Sequence, residues 1–165
     1  MVRNQIWEEM KMAKTYQLSC LHYVDKKRKF NRRYNLFVII ITAISCFSFF
    51  LNHWYILSSV VLASLLESAK KFIPALCQPE EELSKLDDIA TYFGEKLENL
   101  ERIWNNHELS DSVKEEFISK ELSKIQKGSN AKITEMNKLL RKQSEKEDKA
   151  IMDEADEYLK RKFYE

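Results

Sequence analysis

The chain of 165 residues is the size of one domain, and its two Gly, two Pro and many Glu, Lys and Leu residues predict an almost entirely helical protein. Its net charge of +1 conceals two different arms, because residues 1–33 hold nine Lys or Arg against three Asp or Glu, and residues 67–165 hold eighteen against twenty-three. The scarcity of glycine excludes the phosphate-cradling loops and nucleophile elbows of many enzymes, and the spacing of the three His and three Cys gives no metal-binding motif.

An amphipathic helix is predicted for residues 2–30, because apolar residues recur there at helical spacing with charged residues between them. No Gly or Pro interrupts the stretch, so the helix is predicted to continue through the basic segment KKRKFNRR, residues 26–33, and into the uncharged run that follows. Its amphipathic part would lie in the cytoplasm or on the membrane surface. The apolar positions are Ile6, Met10, Ala13, Cys20, Leu21 and Val24.

The basic segment has two interpretations, a nucleic-acid or nuclear-targeting patch and the cytoplasmic flank of a membrane helix. Its direct junction with the uncharged run favours the membrane flank, so no nucleic-acid partner is predicted. The positive-inside bias then predicts that both termini are cytoplasmic, and the basic side chains would also attract anionic lipid headgroups. The topology and lipid-contact residues are Lys26, Lys27, Arg28, Lys29, Arg32, Arg33, Lys70 and Lys71.

Residues 34–66 contain no Asp, Glu, Lys or Arg, and the dipeptide Asn52-His53 divides this run. Residues 34–51 would span about 27 Å as a helix, which is close to the thickness of the hydrocarbon core of a bilayer. The run therefore predicts a membrane hairpin over residues 34–76, with the lipid bilayer as a partner.

The second predicted span covers residues 54–70, but its uncharged part, residues 54–66, is short for a membrane helix. It reaches membrane thickness only if Glu67 lies at the inner headgroup level. Glu67 either forms an i,i+4 pair with Lys71 or contributes to an ion-attracting ring in an oligomer.

Hydroxyl and amide side chains recur on one side of the first predicted span. They either bond back to the carbonyl groups of their own helix or form a stripe that faces a partner helix or a water-filled path. On the second span, small residues four apart, such as Ser64 and Ser68, permit close helix approach. The candidate pore-lining or helix-contact residues are Asn35, Thr42, Ser45, Ser48, Asn52, Ser59, Ser64 and Glu67.

A break is predicted between residues 73 and 79, where Pro74 and Pro79 interrupt the helix. The next helix is predicted to open with the acidic residues 80–82, which complement the positive end of its dipole. Its apolar residues alternate at three- and four-residue spacing, a seam that serves either an intramolecular bundle or an interface between subunits. The seam consists of Leu83, Leu86, Ala90, Phe93, Leu97, Leu100 and Trp104.

Two further helices are predicted. A capping box, Ser112-x-x-Glu115, opens a helix that closes at Gly128. The last helix starts near Asn130 and carries a nearly solvated stretch, residues 141–149, where it projects or changes partners. Throughout the chain, the carboxylates in helical runs of mixed charge are predicted to lie on solvated faces with i,i+4 pairs, so the sequence predicts no enzyme activity, catalytic residue, metal or cofactor.

These elements together predict an all-α membrane protein. It would consist of a two-helix transmembrane hairpin, a long N-terminal amphipathic helix and a C-terminal cytoplasmic helical bundle or coiled coil. The predicted regions are a cytoplasmic helix over residues 1–33, the hairpin over residues 34–76 and a cytoplasmic helical region over residues 79–165.

In this order of elements the chain resembles the SLATT family, two-transmembrane effector domains found with bacterial nucleotide-signalling and defence systems. The resemblance covers roughly residues 10–105 and rests on the N-terminal helix, the basic and aromatic lead-in KKRKFNRRYN at residues 26–35, the serine-containing first span, the minimal turn and the short second span with its charged helical tail. It implies an effector that oligomerises in the bacterial inner membrane and forms a pore or otherwise breaks the permeability barrier. It gives no catalytic residues, and it implies a separately encoded partner that senses a nucleotide signal.

Two functions therefore remain open. One is a homo-oligomeric pore-forming effector, favoured by the polar stripe on the first span. The other is a non-conducting, membrane-anchored helical scaffold or adaptor that recruits a soluble partner, which the charged tail supports equally well. A third interpretation is a surface-bound amphipathic protein whose apolar run enters the bilayer without crossing it.

Overall fold

Helices make up nearly all of the described structure, a computed structural model of the chain. It describes the backbone of residues 2–48, 61–62, 64–66, 68, 77–105, 111–140 and 144–164. Four helices in these ranges are α1 (Val2–Ser48), α2 (Glu80–Asn105), α3 (Asp111–Leu139) and α4 (Glu145–Tyr164). None of the described residues belongs to a strand, so the prediction of an all-α protein is confirmed.

Helix α1 is 47 residues long and continues through the basic segment into the uncharged run, as predicted from the absence of Gly and Pro. Among the described residues, no helix combines the length and the apolar composition that crossing a membrane requires. The Asn52-His53 dipeptide and most of the second predicted span lie outside the described residues. The membrane hairpin therefore stays a prediction.

The chain folds into two compact units. The first unit comprises Met1–Tyr23 and Ser84–Glu165, and the second comprises Val24–Leu83. The first unit thus contains the start of α1, most of α2 and all of α3 and α4. The second contains the basic segment, the rest of α1 and the first residues of α2.

The core of the first unit is built on the predicted seam of α2. Leu86, Phe93 and Leu100 are fully buried there, as the heptad spacing predicts. The Phe93 ring lies 5.1 Å from the ring of Tyr16, and Trp104 lies 5.7 Å from Trp7, with both partners on α1. Within this chain, the seam of α2 therefore packs against α1.

The start of α2 follows the predicted pattern. Cys77–Pro79 are not helical, which confirms the predicted break at these residues, while residues 73–76 lie outside the described ranges. The carbonyl oxygen of Pro79 accepts hydrogen bonds from the backbone N–H groups of Glu82 and Leu83, at 3.1 and 3.2 Å. The first turn contains the acidic residues 80–82, whose charges favour the positive end of the helix dipole.

The prediction that a helix closes at Gly128 is wrong. Helix α3 runs without interruption from Asp111 to Leu139, and Gly128 lies in its interior without a positive φ. A Cβ atom at this position would lie 2.7 Å from the hydroxyl oxygen of Tyr92. The glycine therefore provides room for a side chain of α2 rather than a helix end.

The prediction of a single last helix from Asn130 is also wrong. Residues 130–139 belong to α3, and a new helix, α4, begins at Glu145 within the polar stretch. The backbone N–H of Glu147 donates to Ser144 Oγ, and the N–H of Ser144 donates to Glu147 Oε2, both at 3.3 Å. This reciprocal capping box explains why a new helix starts there.

Candidate functional site

Large apolar side chains are exposed in the second unit. On α1, positions 36, 37, 39 and 40 cover an arc of about 160° at roughly 100° per residue, wider than the stripe of an ordinary surface helix. The exposed fractions of these side chains lie between 48% and 63%. We define the apolar surface as Leu36, Phe37, Ile39, Ile40, Val61, Leu62 and Leu65.

The two ends of the uncharged run meet within the second unit. Tyr34, the first residue of the run, donates a hydrogen bond from its hydroxyl group to the carbonyl oxygen of Leu66, the last residue of the run, at 2.6 Å. The backbone at the described positions between 61 and 68 is helical. The uncharged run therefore begins and ends at neighbouring points of the second unit.

A groove of about 580 Å³ lies beside the apolar surface. On α1 the groove is lined by residues three or four positions apart, which share one helix face. The first residue of α2, Glu80, completes the lining. Glu80 Oε1 accepts hydrogen bonds from Nε and Nη2 of Arg28, at 2.8 and 2.7 Å. The lining residues are Arg28, Asn31, Arg32, Asn35, Leu36, Ile39 and Glu80.

Asn31 contributes a polar atom that the protein leaves unsatisfied. Its amide nitrogen donates to the carbonyl oxygen of Gln78 at 3.0 Å, which fixes the orientation of the side-chain amide. Its other polar atom, Oδ1, is buried and has no hydrogen-bond donor in the described part of the chain. A buried acceptor without a donor is costly, so Asn31 Oδ1 is a polar atom whose hydrogen-bonding capacity is not met by the described residues.

The predicted stripe of polar residues on the first span is only partly described. The hydroxyl group of Thr42 donates to the carbonyl oxygen of Val38 at 2.9 Å, which is the back-bonded alternative. Asn35 lines the groove, and Ser64 is exposed on a helical segment. The side chains of Ser45 and Ser48, and the whole of Asn52, Ser59 and Glu67, lie outside the described residues.

The predicted lipid-contact residues of α1 differ in their surroundings. Lys29 pairs with Asp25 at 2.6 Å, with both side chains more than 60% exposed, so this pair contributes little to stability. Arg28 is held by Glu80 in the groove. Lys70 and Lys71 lie outside the described residues.

The first unit contains a buried polar cluster that the sequence does not predict. Lys96, with 7% of its side chain exposed, donates to Glu9 Oε2 at 2.8 Å and to Ser129 Oγ at 3.1 Å. Gln126 donates to the other oxygen of Glu9 at 2.9 Å. Burial opposes ionisation of Glu9, but the hydrogen bonds from Lys96 and Gln126 prevail and hold the pKa of this carboxyl below its ordinary value.

Within the first unit, helix α4 is joined to α1 and α2 by further ion pairs. Lys162 donates to Glu101 Oε2 at 2.7 Å, and this hydrogen bond raises the pKa of the ammonium group. Asp156 accepts from Lys160 on its own helix and from Lys11 on α1, at 2.6 and 3.1 Å. The prediction of solvated faces is thus wrong for Glu9 and Glu101, which are largely buried.

Cys20 and Cys77 are free thiols and both are buried, while the side chain of Cys46 lies outside the described residues. The described residues contain no group of His, Cys, Asp and Glu side chains suited to a metal ion. Comparison of the chain with protein-family models, with curated proteins and with solved structures finds no match.

Proposed function

We propose that this protein is a membrane effector that oligomerises and forms a pore, or otherwise disrupts the inner membrane, in bacterial defence. The observation that carries the proposal is the apolar surface of the second unit, which directly follows the basic segment on α1. The resemblance to SLATT effectors supplies the biological setting, in which a separately encoded sensor of a nucleotide signal would be the partner.

Contact with lipid accounts for the apolar surface. Leu36 and Ile39 are 57% and 63% exposed, and burial of a side chain of this size is worth about 1.5–3 kcal/mol. The four exposed side chains of α1 lie side by side along little more than one helical turn, so they form a patch and not isolated apolar residues. Removal of these side chains from water in a bilayer would stabilise the protein.

The hairpin is supported by the ends of the uncharged run. Tyr34 and Leu66 are 32 residues apart in sequence and 2.6 Å apart at their bonded oxygen atoms. A run that enters and leaves the bilayer on the same side would have this arrangement. Basic residues 26–33 would then lie on the cytoplasmic side by the positive-inside bias, with both termini.

A non-conducting scaffold or adaptor is the second candidate, favoured by one observation. The hydroxyl group of Thr42 is satisfied by its own helix, so this member of the polar stripe needs no water-filled path. In such a protein, deletion of residues 106–165 would abolish capture of a soluble partner, while membrane potential would stay intact.

Substitution of one exposed residue tests the membrane proposal. Asp in place of an apolar residue costs about 3 kcal/mol near the centre of a membrane helix, whereas a position that is already exposed to water tolerates it. We expect Ile40→Asp to reduce membrane integration, measured by vesicle flotation, and to abolish the collapse of membrane potential that expression of the wild-type protein causes, measured with a voltage-sensitive dye.

Met152→Asp on α4 is the matched control, because Met152 is 50% exposed and Ile40 is 48% exposed. It should depolarise cells as the wild-type protein does. An intact potential on expression of the wild-type protein, with membrane insertion verified, contradicts pore formation and favours the scaffold. Equal flotation of Ile40→Asp and the wild-type protein contradicts the membrane contact itself.

A further inference from the structure

We propose that the groove beside the apolar surface binds the headgroup of an aminophospholipid, phosphatidylethanolamine. This inference rests on the membrane contact in the proposed function and adds a ligand class to it. The headgroup combines a phosphate, an ammonium group with three hydrogen-bond donors and adjoining acyl chains. The groove has a complementary group for each of these three parts.

The phosphate would bind the two arginine side chains of the groove. Arg28 and Arg32 are four residues apart on α1, so they lie on the same face of the helix. Arg28 is held in place by Glu80, and Arg32 forms no ion pair with any described residue. The planar guanidinium groups offer paired donors that suit phosphate oxygens.

The ammonium group would bind the acceptors beside these arginines. Asn31 Oδ1 is buried without a donor among the described residues, and the amide cannot simply be reversed because its nitrogen already donates to Gln78. Glu80 supplies a carboxylate at the same groove, and its side chain is 66% exposed. A primary ammonium has N–H groups to offer such acceptors, whereas the quaternary ammonium of phosphatidylcholine has no N–H to donate.

The acyl chains would continue along the apolar part of the groove. Leu36 and Ile39 lie four and seven residues beyond Arg32 on the same helix, about 6 and 10 Å along its axis. Both are more than half exposed. A soluble phosphate compound would leave these side chains in water, so the arrangement favours a membrane lipid.

The test compares flotation of the full-length protein with two kinds of vesicle. One contains phosphatidylcholine alone, and the other an equimolar mixture of phosphatidylcholine and phosphatidylethanolamine. We expect an affinity about tenfold higher for the mixture, the effect of one charge-assisted hydrogen bond. Arg32→Gln and Glu80→Gln should lose this preference, with folding checked by circular dichroism.

Arg33→Gln and Glu81→Gln are matched controls, because each makes the same charge change one residue outside the groove. They should keep the preference. If Arg32→Gln and Glu80→Gln kept the preference for phosphatidylethanolamine, the groove would not be its binding site, and altered lipid packing would explain the preference. Stronger binding to phosphatidylglycerol vesicles, lost equally in Arg32→Gln and Arg33→Gln, would overturn amine recognition in favour of charge attraction.

The two proposals fail in different ways. Equal flotation of the wild-type protein with both vesicles overturns the headgroup site and leaves membrane contact standing. Absence of flotation with either vesicle overturns membrane contact and the headgroup site together. Pore formation is tested separately, by measuring the membrane potential of cells that express the protein.

Discussion

Lys96 stands in the sequence GEKLE, residues 94–98, where mixed charges favour a solvated face. Its side chain is instead buried against Glu9 and Ser129, which lie 87 and 33 residues away. No local spacing encodes a pair of this kind, because its members are brought together only when three helices pack. Phe93, on the same helix, is buried as predicted, because its environment follows from heptad spacing.

The Lys96 pair gives a prediction for stability. Lys96→Met keeps most of the side-chain volume but leaves Glu9, 12% exposed, without its cation. We expect the free energy of unfolding to fall by about 2–3 kcal/mol, less than for a fully buried pair because Gln126 still donates to Glu9. Urea denaturation followed by circular dichroism measures the change.

Two variants check that the buried carboxylate is the cause. Adding Glu9→Gln to Lys96→Met should recover part of the loss, because the double variant has no unpaired charge. Lys132→Met removes a lysine whose partner, Glu135, is 43% exposed, and should have little effect. An equal loss in Lys132→Met would contradict this explanation.

Element boundaries were predictable where proline or a cap lies beside an uninterrupted heptad pattern. The break at Cys77–Pro79 and the acidic first turn of α2 follow such signals. The end of α3 was not predictable in this way. Glycine commonly ends a helix, but Gly128 lies within α3 and leaves room for the side chain of Tyr92. The capping box of α4 had a local signature, Ser144-x-x-Glu147, within a stretch whose charge indicated only solvation.

That cap gives a prediction at the scale of one helix. Ser144→Ala removes the acceptor for the backbone N–H of Glu147, and an N-cap of this type contributes about 1 kcal/mol. We expect the urea midpoint of the purified protein to fall accordingly. Ser123→Ala is the control, because the Ser123 hydroxyl is exposed and bonds only to the carbonyl oxygen of Lys120 in its own helix. A similar loss in both variants would show that the cap geometry is not responsible.

At the scale of the whole molecule, composition predicted the helical class, and charge distribution predicted where apolar and basic surfaces adjoin. The groove was not predictable, because Arg28 and Glu80 are 52 residues apart and their pairing depends on how the chain returns after the uncharged run. The Tyr34 to Leu66 hydrogen bond has the same origin. Membrane topology rests on sequence, since the described residues contain no helix suited to crossing.

Topology gives the prediction at this scale. In a hairpin with both termini cytoplasmic, the Asn52-His53 dipeptide reaches the far side of the membrane. We expect a cysteine introduced by His53→Cys to react with a membrane-impermeant maleimide added outside intact cells whose inner membrane is accessible. A cysteine introduced by Ser144→Cys, in the predicted cytoplasmic region, should react only after lysis. An unreactive position 53 in intact cells would contradict the hairpin and favour a protein that enters the bilayer without crossing it.

The burial of Cys20 makes this residue a reporter of the opening of the first unit. Its side chain is completely buried in the first unit, and burial, with the nearby Asp87, raises the pKa of the thiol to about 12. The thiolate is the reactive form, so alkylation of Cys20 at neutral pH must wait until the helices around it separate. The rate of alkylation of Cys20, followed by mass spectrometry, therefore measures how often the first unit opens. The measurement can be made in a detergent micelle or in a membrane, and it needs no introduced cysteine.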